Sequence, residues 1–261
     1  MPSLTPSLIA LAFMSIPSSA LPYAGNGNIP YINLDLTATP SLPLREVSNT
    51  GASPLPSPTG TLKSIQLGLG FQNYTCSSSA WIQTVPSAGA IANLYDITRL
   101  VTQYTSDSYT QTTLHAFEDC LKATFCQPSP GNNYCASCHQ IATAALSASL
   151  SGLHFFEQIN NAQTPNFHIW APPPTTDSDE YLSAKKVGTA KAAQNAYAGA
   201  NALGAVAWLY LVDNGDGRTK NLKSVYRIET AGGVAPASCE VPGETLQVPY
   251  AAEYWFYDGG K

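Results

Sequence analysis

The chain has 261 residues, of which 44% are hydrophobic and 11% are charged, and its net charge is −5. The hydrophobic share excludes a fully disordered chain, and the length suits one large domain or two small ones. The low content of Lys and Arg argues against a nucleic-acid partner, because phosphate binding needs clustered cations.

The N-terminal residues predict export. An apolar run over residues 8–14 precedes Pro17 and the small residues Ser18 and Ala20, which suit a cleavage site. We therefore predict a signal peptide over residues 1–20, with a buried N-terminal helix as the alternative. The run is far shorter than the ~20 residues that span a bilayer, and no other segment is long and apolar enough. We expect a secreted protein, extracellular or in the cell wall, with no membrane partner.

Residues 21–60 are rich in Pro, Ser and Thr. Repeated X-Pro steps favour extended or polyproline conformations, and this composition offers little to a hydrophobic core. We predict a linker-like N-terminal arm over this range. The prolines that define it are Pro40, Pro43, Pro54, Pro56 and Pro58.

Residues 61–258 are predicted to form a single β domain. Short apolar or alternating runs, bounded by Gly-, Pro- and Ser-rich turns, indicate strands. These runs lie at 62–69, 89–94, 205–212, 222–230 and 248–257. The predicted fold class is mainly β, an antiparallel β-sandwich or barrel that carries a helical insert.

The insert covers about residues 112–153 and is predicted to be a helical hairpin. Apolar residues recur at helical spacing in two stripes separated by a turn rich in Pro, Gly and Asn. The first stripe consists of Leu114, Phe117, Leu121 and Phe125. The second consists of Ile141, Ala144, Ala145 and Ala148.

Six cysteines suit three disulfides in an exported protein. Cys76 and Cys239 stand alone and far apart, so we predict one long-range bridge between them. The antiparallel geometry of the hairpin predicts the nested bridges Cys126–Cys135 and Cys120–Cys138. A crossed pairing of these four cysteines and a strained Cys135–Cys138 bridge are the alternatives.

Several stretches of the β domain resemble a known family. They include GLGFQNYTC at 68–76, GAIANLYD at 89–96 and YRIETAGGVAP at 226–236. In this order, within residues 62–257, they are similar to a family of secreted fungal proteins catalogued as a domain of unknown function. The resemblance implies a fold and an extracellular compartment, but no reaction and no catalytic residues. Some family members carry an automatic label of malate dehydrogenase.

The residues do not favour a dinucleotide cofactor. The usual fingerprint, G-x-G-x-x-G, lies between a strand and a helix. Gly68 and Gly70 supply the first two glycines, but Asn73 stands at the third position and no helical pattern follows. We therefore predict no nicotinamide-dependent dehydrogenase.

A haem or metal site is weighed against disulfides in the cysteine cluster. Cys135, Cys138 and His139 match the haem-attachment pattern C-x-x-C-H, and the spacing of the four cysteines also resembles a zinc site. An oxidising compartment favours bridges to Cys120 and Cys126 over either. The acidic loop at 213–217 lacks the ligand spacing of an EF-hand and predicts a turn. We predict no cofactor and no metal.

Three residues are weak catalytic candidates. His154 and His168 flank a turn, so they are expected to converge across a hairpin, with Glu157 as a carboxylate partner for acid–base chemistry or metal binding. Hydrogen-bonded structural histidines are the alternative. Carboxylates in strand-like sequence suit a glycosidase pair, but nothing in their spacing singles them out. They are Asp96, Glu229 and Glu253.

Asn73 is the predicted glycosylation site. It begins an N-x-T sequon with Tyr74 and Thr75, which the export route would present to the transferase. Cys76 follows at once, so disulfide formation competes with modification.

Two functions follow from these observations. The first is a secreted binding protein that holds a carbohydrate, cell-wall or small-molecule partner on a surface rich in its 14 Tyr and 4 Trp residues. The second is an extracellular hydrolase or metal-assisted enzyme centred on His154. A deep pocket that joins His154 or His168 to a carboxylate would favour the enzyme.

Overall fold

β-strands are the main element of the structure, a computed structural model that describes residues 40–48, 51–83, 89–103, 109–124, 136–170 and 179–259. The predicted signal peptide and residues 21–39 of the predicted arm lie outside the described residues. All described residues belong to one compact unit, Asp35–Lys261. The strands are β1 (Leu62–Ser77), β2 (Ala80–Ile82), β3 (Gly89–Asp96), β4 (Leu150–Ile159), β5 (Ala162–Ile169), β6 (Glu180–Ala190), β7 (Trp208–Asp213), β8 (Ser224–Gly232) and β9 (Thr245–Tyr257).

The strands form one antiparallel sheet that closes on itself. Each strand from β3 to β9 pairs with the next along the chain, β1 pairs with β3, and β9 returns to pair with β1. The β1–β9 ladder runs from Leu62 opposite Tyr257 to Thr75 opposite Thr245. β2 is a short hairpin extension of β1. Of the two predicted architectures, a sandwich and a barrel, the eight-stranded barrel is therefore the one formed, and each of its strands has neighbours on both sides.

Successive side chains of β1 point to opposite faces of the sheet. Leu67 and Leu69 belong to an outer apolar cluster beneath the helices, whereas Gly68 and Gly70 face the barrel interior. Both faces of β1 are buried, because helices cover the barrel on this side. Burial on both faces disfavours charged side chains, and residues 64–77 of this strand contain none.

The helices lie outside the barrel. They are α1 (Thr98–Gln103), α2 (Tyr109–Thr124) and α3 (Ala136–Thr143), and α3 continues into a short 3-10 turn, Ala144–Leu146. Leu114 and Phe117 of the first predicted stripe are fully buried, and the Phe117 ring lies 5.5 Å from the ring of Phe71. Phe125 lies outside the described residues.

The second predicted stripe is wrong. Ile141 is 59% exposed, and the buried side of α3 carries Cys138 and Ala142 instead. The reason is the disulfide from Cys138 to Cys120, which turns that side of α3 toward α2. The helical segment also ends at Leu146, so residues 150–153 belong to β4 rather than to the insert.

Two disulfides are described. Cys76, in β1, is joined to Cys239, and Cys120, in α2, is joined to Cys138, in α3. The second bridge crosses the helical hairpin as the outer rung of the predicted nested pair. The inner pair, Cys126 and Cys135, lies outside the described residues. The bridges indicate a protein that folds in an oxidising environment.

The described part of the predicted arm packs on the barrel. Leu55 is 3% exposed within the outer cluster, and Val47 joins it there. The carbonyl of Ser53 accepts a hydrogen bond from the Thr189 amide at 2.8 Å, and that of Pro56 accepts one from the Tyr226 hydroxyl at 3.1 Å. Extended X-Pro backbone leaves its carbonyls free for such contacts, which the composition alone does not predict.

Candidate functional site

The barrel has a large cavity at the end where β1 finishes and β9 begins. This mouth cavity has a volume of about 730 Å³. It exists because the inner face is small near this end, with Ala90 and Ala184, while Phe167, Tyr254 and Phe256 fill the interior beyond it. Its wall is mixed in polarity. The apolar part includes Ala90, Phe156, Ala184, Leu209 and Leu211, and polar side chains line the rest.

Arg227 is the principal charge of the mouth cavity. Its place in β8, opposite Leu209 in β7 and Tyr254 in β9, puts the side chain on the inner face. Its Nη2 and Nε donate to the Ala207 carbonyl at 2.9 and 3.2 Å. Across the described residues, no carboxylate oxygen lies within 4.0 Å of this guanidinium.

Ala207, which binds Arg227, lies just before the start of β7. The sequence predicts a strand over 205–212, but the strand starts at Trp208. Residues 205–207 lie outside β7, although Ala205 forms an isolated bridge to Gly233. The first part of that strand prediction is therefore wrong.

Gln72 brings a second donor to the cavity. Its side chain is 2% exposed, and its Oε1 accepts a hydrogen bond from Gln83 Nε2 at 2.7 Å. Its own Nε2 is buried without a hydrogen-bond partner among the described residues. A buried amide nitrogen left unpaired costs about 1–3 kcal/mol, so native proteins normally pair it with protein, water or ligand.

Gln72 and Arg227 approach the same part of the wall. A Cβ atom on Gly233 would lie 3.1 Å from Gln72 Cγ and 2.9 Å from Val206 Cγ1. Val206 precedes Ala207, which binds Arg227. Both side chains line the mouth cavity, and we refer to Gln72 and Arg227 together as its polar zone.

Two adjacent lysines at the rim differ in the face they occupy. Lys186 pairs with Leu211, an inner-cluster residue, whereas Lys185 pairs with Val212 on the outer face. Both are exposed and both border the mouth cavity. Neither has a carboxylate within 4.0 Å in the described part of the chain.

The acidic residues near the rim are held by Arg218. This guanidinium donates to Glu157 at 2.6 Å and to Asp216 at 2.9 Å. Desolvation raises the pKa of Asp216, but hydrogen bonds from Arg218 and Ser183 outweigh it and hold that pKa well below its usual range. The loop at 213–217 is the predicted turn, and its carboxylates bind neighbouring protein groups.

His154 lies inside the barrel. It is 3% exposed, and its ring stacks on Phe167 with centroids 4.2 Å apart. Desolvation lowers the pKa of His154 to about 3, so the ring is neutral at ordinary pH. Its Nδ1 lies 2.9 Å from the Asn166 carbonyl, and a carbonyl only accepts, so Nδ1 carries the proton and donates it there.

The three catalytic candidates do not come together. His154 pairs with Phe167, and the next pair along the ladder joins Leu153 to His168, so the two histidines occupy opposite faces. His168 Nε2 lies 3.1 Å from Asp179 Oδ2 at the outer surface. Glu157 also lies on the outer face, bound to Arg218.

The carboxylates weighed for a glycosidase pair are likewise separated. Asp96 accepts from the Thr98 amide at 2.9 Å ahead of α1. Glu253 is fully buried and accepts from Trp255 Nε1 at 2.8 Å. Glu229 borders a different cavity, beneath α2. The geometry therefore contains no facing pair among these three residues.

Asn73, the predicted glycosylation site, lies in β1. Its Oδ1 accepts a hydrogen bond from Gln247 Nε2 at 2.7 Å, and the side chain is half-buried. This contact uses the amide oxygen and leaves the nitrogen that a glycan would modify. Glycosylation at Asn73 remains a prediction.

Sequence reasoning missed the polar groups of the mouth cavity. Arg227 follows Val225 at a spacing of two, so one cation shares a face with a buried apolar residue of a predicted strand. That pattern was the available signal. Gln72 gave no comparable signal, because its burial depends on the neighbouring strands.

The fold and the site define an antiparallel β-barrel protein with one wide, partly apolar cavity at its mouth. The chain belongs to the family described as "Protein of unknown function (DUF3455)", whose profile matches residues 56–258. No curated protein and no solved structure matches the chain. None of the helices in the described residues is both long and apolar enough to cross a bilayer.

Proposed function

We propose that this protein binds a small organic molecule in the mouth cavity of its barrel. The observation that carries the proposal is a cavity of about 730 Å³ lined by Arg227, which has no carboxylate oxygen within 4.0 Å among the described residues. That volume lies within the ~300–1,000 Å³ range of small-molecule sites, which combine an apolar wall with a few placed polar groups.

Burial of the aromatic residues favours this site over an aromatic surface for carbohydrate. Trp208, Trp255, Tyr226, Tyr250 and Tyr254 are each at most 1% exposed, so they pack the interior rather than present stacking faces. Trp170, at 37%, is more exposed than these. The mouth cavity therefore supports the small-molecule alternative better than a sugar platform.

The geometry supports an enzyme centred on His154 less well than it supports binding. A general base must take a proton near the working pH. The low pKa of His154 opposes this, its Nδ1 is bound to a backbone carbonyl, and the other two candidates lie outside the barrel. We place the protein outside the cell, because its disulfides suit an oxidising environment and residues 1–20 resemble a signal peptide.

A ligand screen tests the proposed function. The secreted protein would be screened against a metabolite library by thermal shift, and hits would be measured by calorimetry. We expect hits whose binding is lost in Ala90→Phe, which fills the cavity, and is kept in Ala145→Phe, an exposed site on the 3-10 turn. Binding that survives the cavity substitution, or no hit at all, would contradict the proposal.

A further inference from the structure

We infer that the ligand of the mouth cavity is an organic anion, a carboxylate with an apolar body, whose acceptor oxygens pair with Arg227 and Gln72. This inference rests on the proposed binding function and names the ligand class. Three independent features of the cavity support it: its hydrogen-bonding polarity, its uncompensated charge and its apolar wall.

The polar zone offers hydrogen-bond donors rather than acceptors. Arg227 makes two hydrogen bonds to Ala207 and one to the Tyr254 hydroxyl, which together use at most three of the five N–H groups of a guanidinium. Gln72 has its oxygen occupied by Gln83 and its nitrogen unpaired among the described residues. The remaining capacity of both side chains therefore demands acceptors from whatever fills the cavity.

The charge of the zone is positive. No carboxylate oxygen of the described residues lies within 4.0 Å of Arg227 or Lys186, and the rim carboxylates Glu157 and Asp216 are bound to Arg218. A partly desolvated guanidinium bound only by neutral groups gains from an anionic partner. A carboxylate matches it, because its two oxygens accept the paired N–H groups of an arginine.

The apolar residues of the cavity wall indicate that the rest of the ligand is apolar. Phe156, Leu209 and Leu211 line the cavity and belong to or pack against the inner apolar cluster. Their contact with an apolar body removes hydrocarbon from water, which contributes roughly 25 cal/mol per Å² buried. An acid with an alkyl or aryl body therefore satisfies both the polar zone and the wall.

Matched acid–amide pairs test the ligand class. Calorimetry on the full secreted chain would compare octanoate with octanamide and 3-phenylpropionate with 3-phenylpropanamide, alongside the acids and neutral molecules among the library hits. We expect each acid to bind at least about thirtyfold more tightly than its amide, the minimum expected when one partner of a buried charge pair is removed. Equal affinity for acids and amides, with binding lost in Ala90→Phe, would overturn the ligand class and leave the proposed function standing. Absence of binding by every probe would overturn both.

Variants test the residues. Arg227→Gln should lower acid affinity by at least about thirtyfold and leave amide affinity unchanged. Lys186→Gln should lower acid affinity, whereas Lys122→Gln, at an exposed lysine of α2 that does not line the cavity, should not. If Arg227→Gln does not fold, Gln72→Met serves instead, because it removes one donor and no charge; it should weaken acid binding in a folded protein. Unchanged acid binding in the folded Arg227 or Gln72 variant would overturn the assignment.

Discussion

Gly68 of β1 faces the ring of Tyr254 so closely that a Cβ atom at position 68 would overlap Cε2 of that ring. The hydroxyl of this tyrosine lies 2.9 Å from the Tyr250 hydroxyl in the barrel interior. The Gly-x-Gly pattern at 68–70 therefore makes room for a buried tyrosine and for close strand pairing. Its position inside a strand of an antiparallel barrel is unlike the strand-to-helix turn that cradles a dinucleotide.

The first prediction follows from this contact. Gly68→Ala should lower the free energy of unfolding by about 1–3 kcal/mol, because overpacking forces the ring or the strand to move. Gly51→Ala is the matched control, since a Cβ there meets nothing closer than 3.8 Å. Urea denaturation would measure both variants, and equal stability of the two would show that the Tyr254 ring yields without cost.

Local pattern was enough to predict much of the sheet. The alternating and apolar runs at 62–69, 89–94 and 248–257 lie within β1, β3 and β9, and Leu114 and Phe117 of the first helical stripe are buried. The sequence did not distinguish a barrel from a sandwich, because closure depends on the pairing of β9 with the second edge of β1. The face of α3 was also misassigned, since a disulfide partner rather than hydrophobic periodicity orients it.

The site was less accessible from sequence than the fold. His154 and His168 are close along a hairpin, but one step of register separates the barrel interior from its outer surface. Gln72 and Arg227 are far apart in the chain and line the same cavity only because β9 brings β1 and β8 together in the barrel. A single sequence contains no distances, so it could not predict that these two residues line one cavity.

Acid should destabilise the protein through its buried histidines. Desolvation lowers the pKa of His139 to about 4 and that of His154 to about 3, below the ordinary value of 6.5. The unfolded chain binds the proton more readily, so the histidine contribution to stability is complete above about pH 6.5 and is lost as the pH falls. Each histidine should remove about 3 kcal/mol between pH 7 and pH 4, as measured by urea denaturation.

Single substitutions assign this effect. His139→Gln should reduce the loss of stability between pH 7 and pH 4 by about half, because one protonation site is removed. His115→Gln is the control, since the side chain of His115 is 60% exposed beside Asp119. A pH dependence that is the same in His139→Gln and in the unmodified protein would contradict the assignment.

The two described disulfides should differ in how much they stabilise the fold. The sequence separations are 163 for Cys76–Cys239 and 18 for Cys120–Cys138. In the loop-entropy model, these values correspond to about 5 and about 3 kcal/mol. Removing each pair by double Cys→Ala substitution should therefore cost more stability for the first bridge. The reverse order in chemical denaturation would show that strain or residual structure, not loop length, governs the effect.

Arg218 should hold the loop that follows β7 against the outside of the barrel. Its guanidinium donates to Glu157, Asp216, Asn166 and Ser183, at distances between 2.6 and 2.9 Å. Asn166 and Ser183 are fully buried, so loss of the guanidinium leaves their side chains with fewer hydrogen-bond partners and no access to water. A lysine ammonium is a compact charge without the planar set of N–H groups of a guanidinium, so it cannot replace these four hydrogen bonds.

We therefore expect Arg218→Lys to destabilise the protein by about 1–3 kcal/mol, even though the charge is kept. Arg45→Lys is the matched control, because Arg45 is exposed. The pKa of Asp216 lies below its ordinary value, so this carboxylate stabilises the fold at neutral pH and loses that contribution only as the pH falls below about 4. Arg218→Lys should accordingly show its full cost at pH 7 and a smaller cost in strong acid. A cost that is absent at pH 7 would mean that the loop is held by its backbone contacts alone.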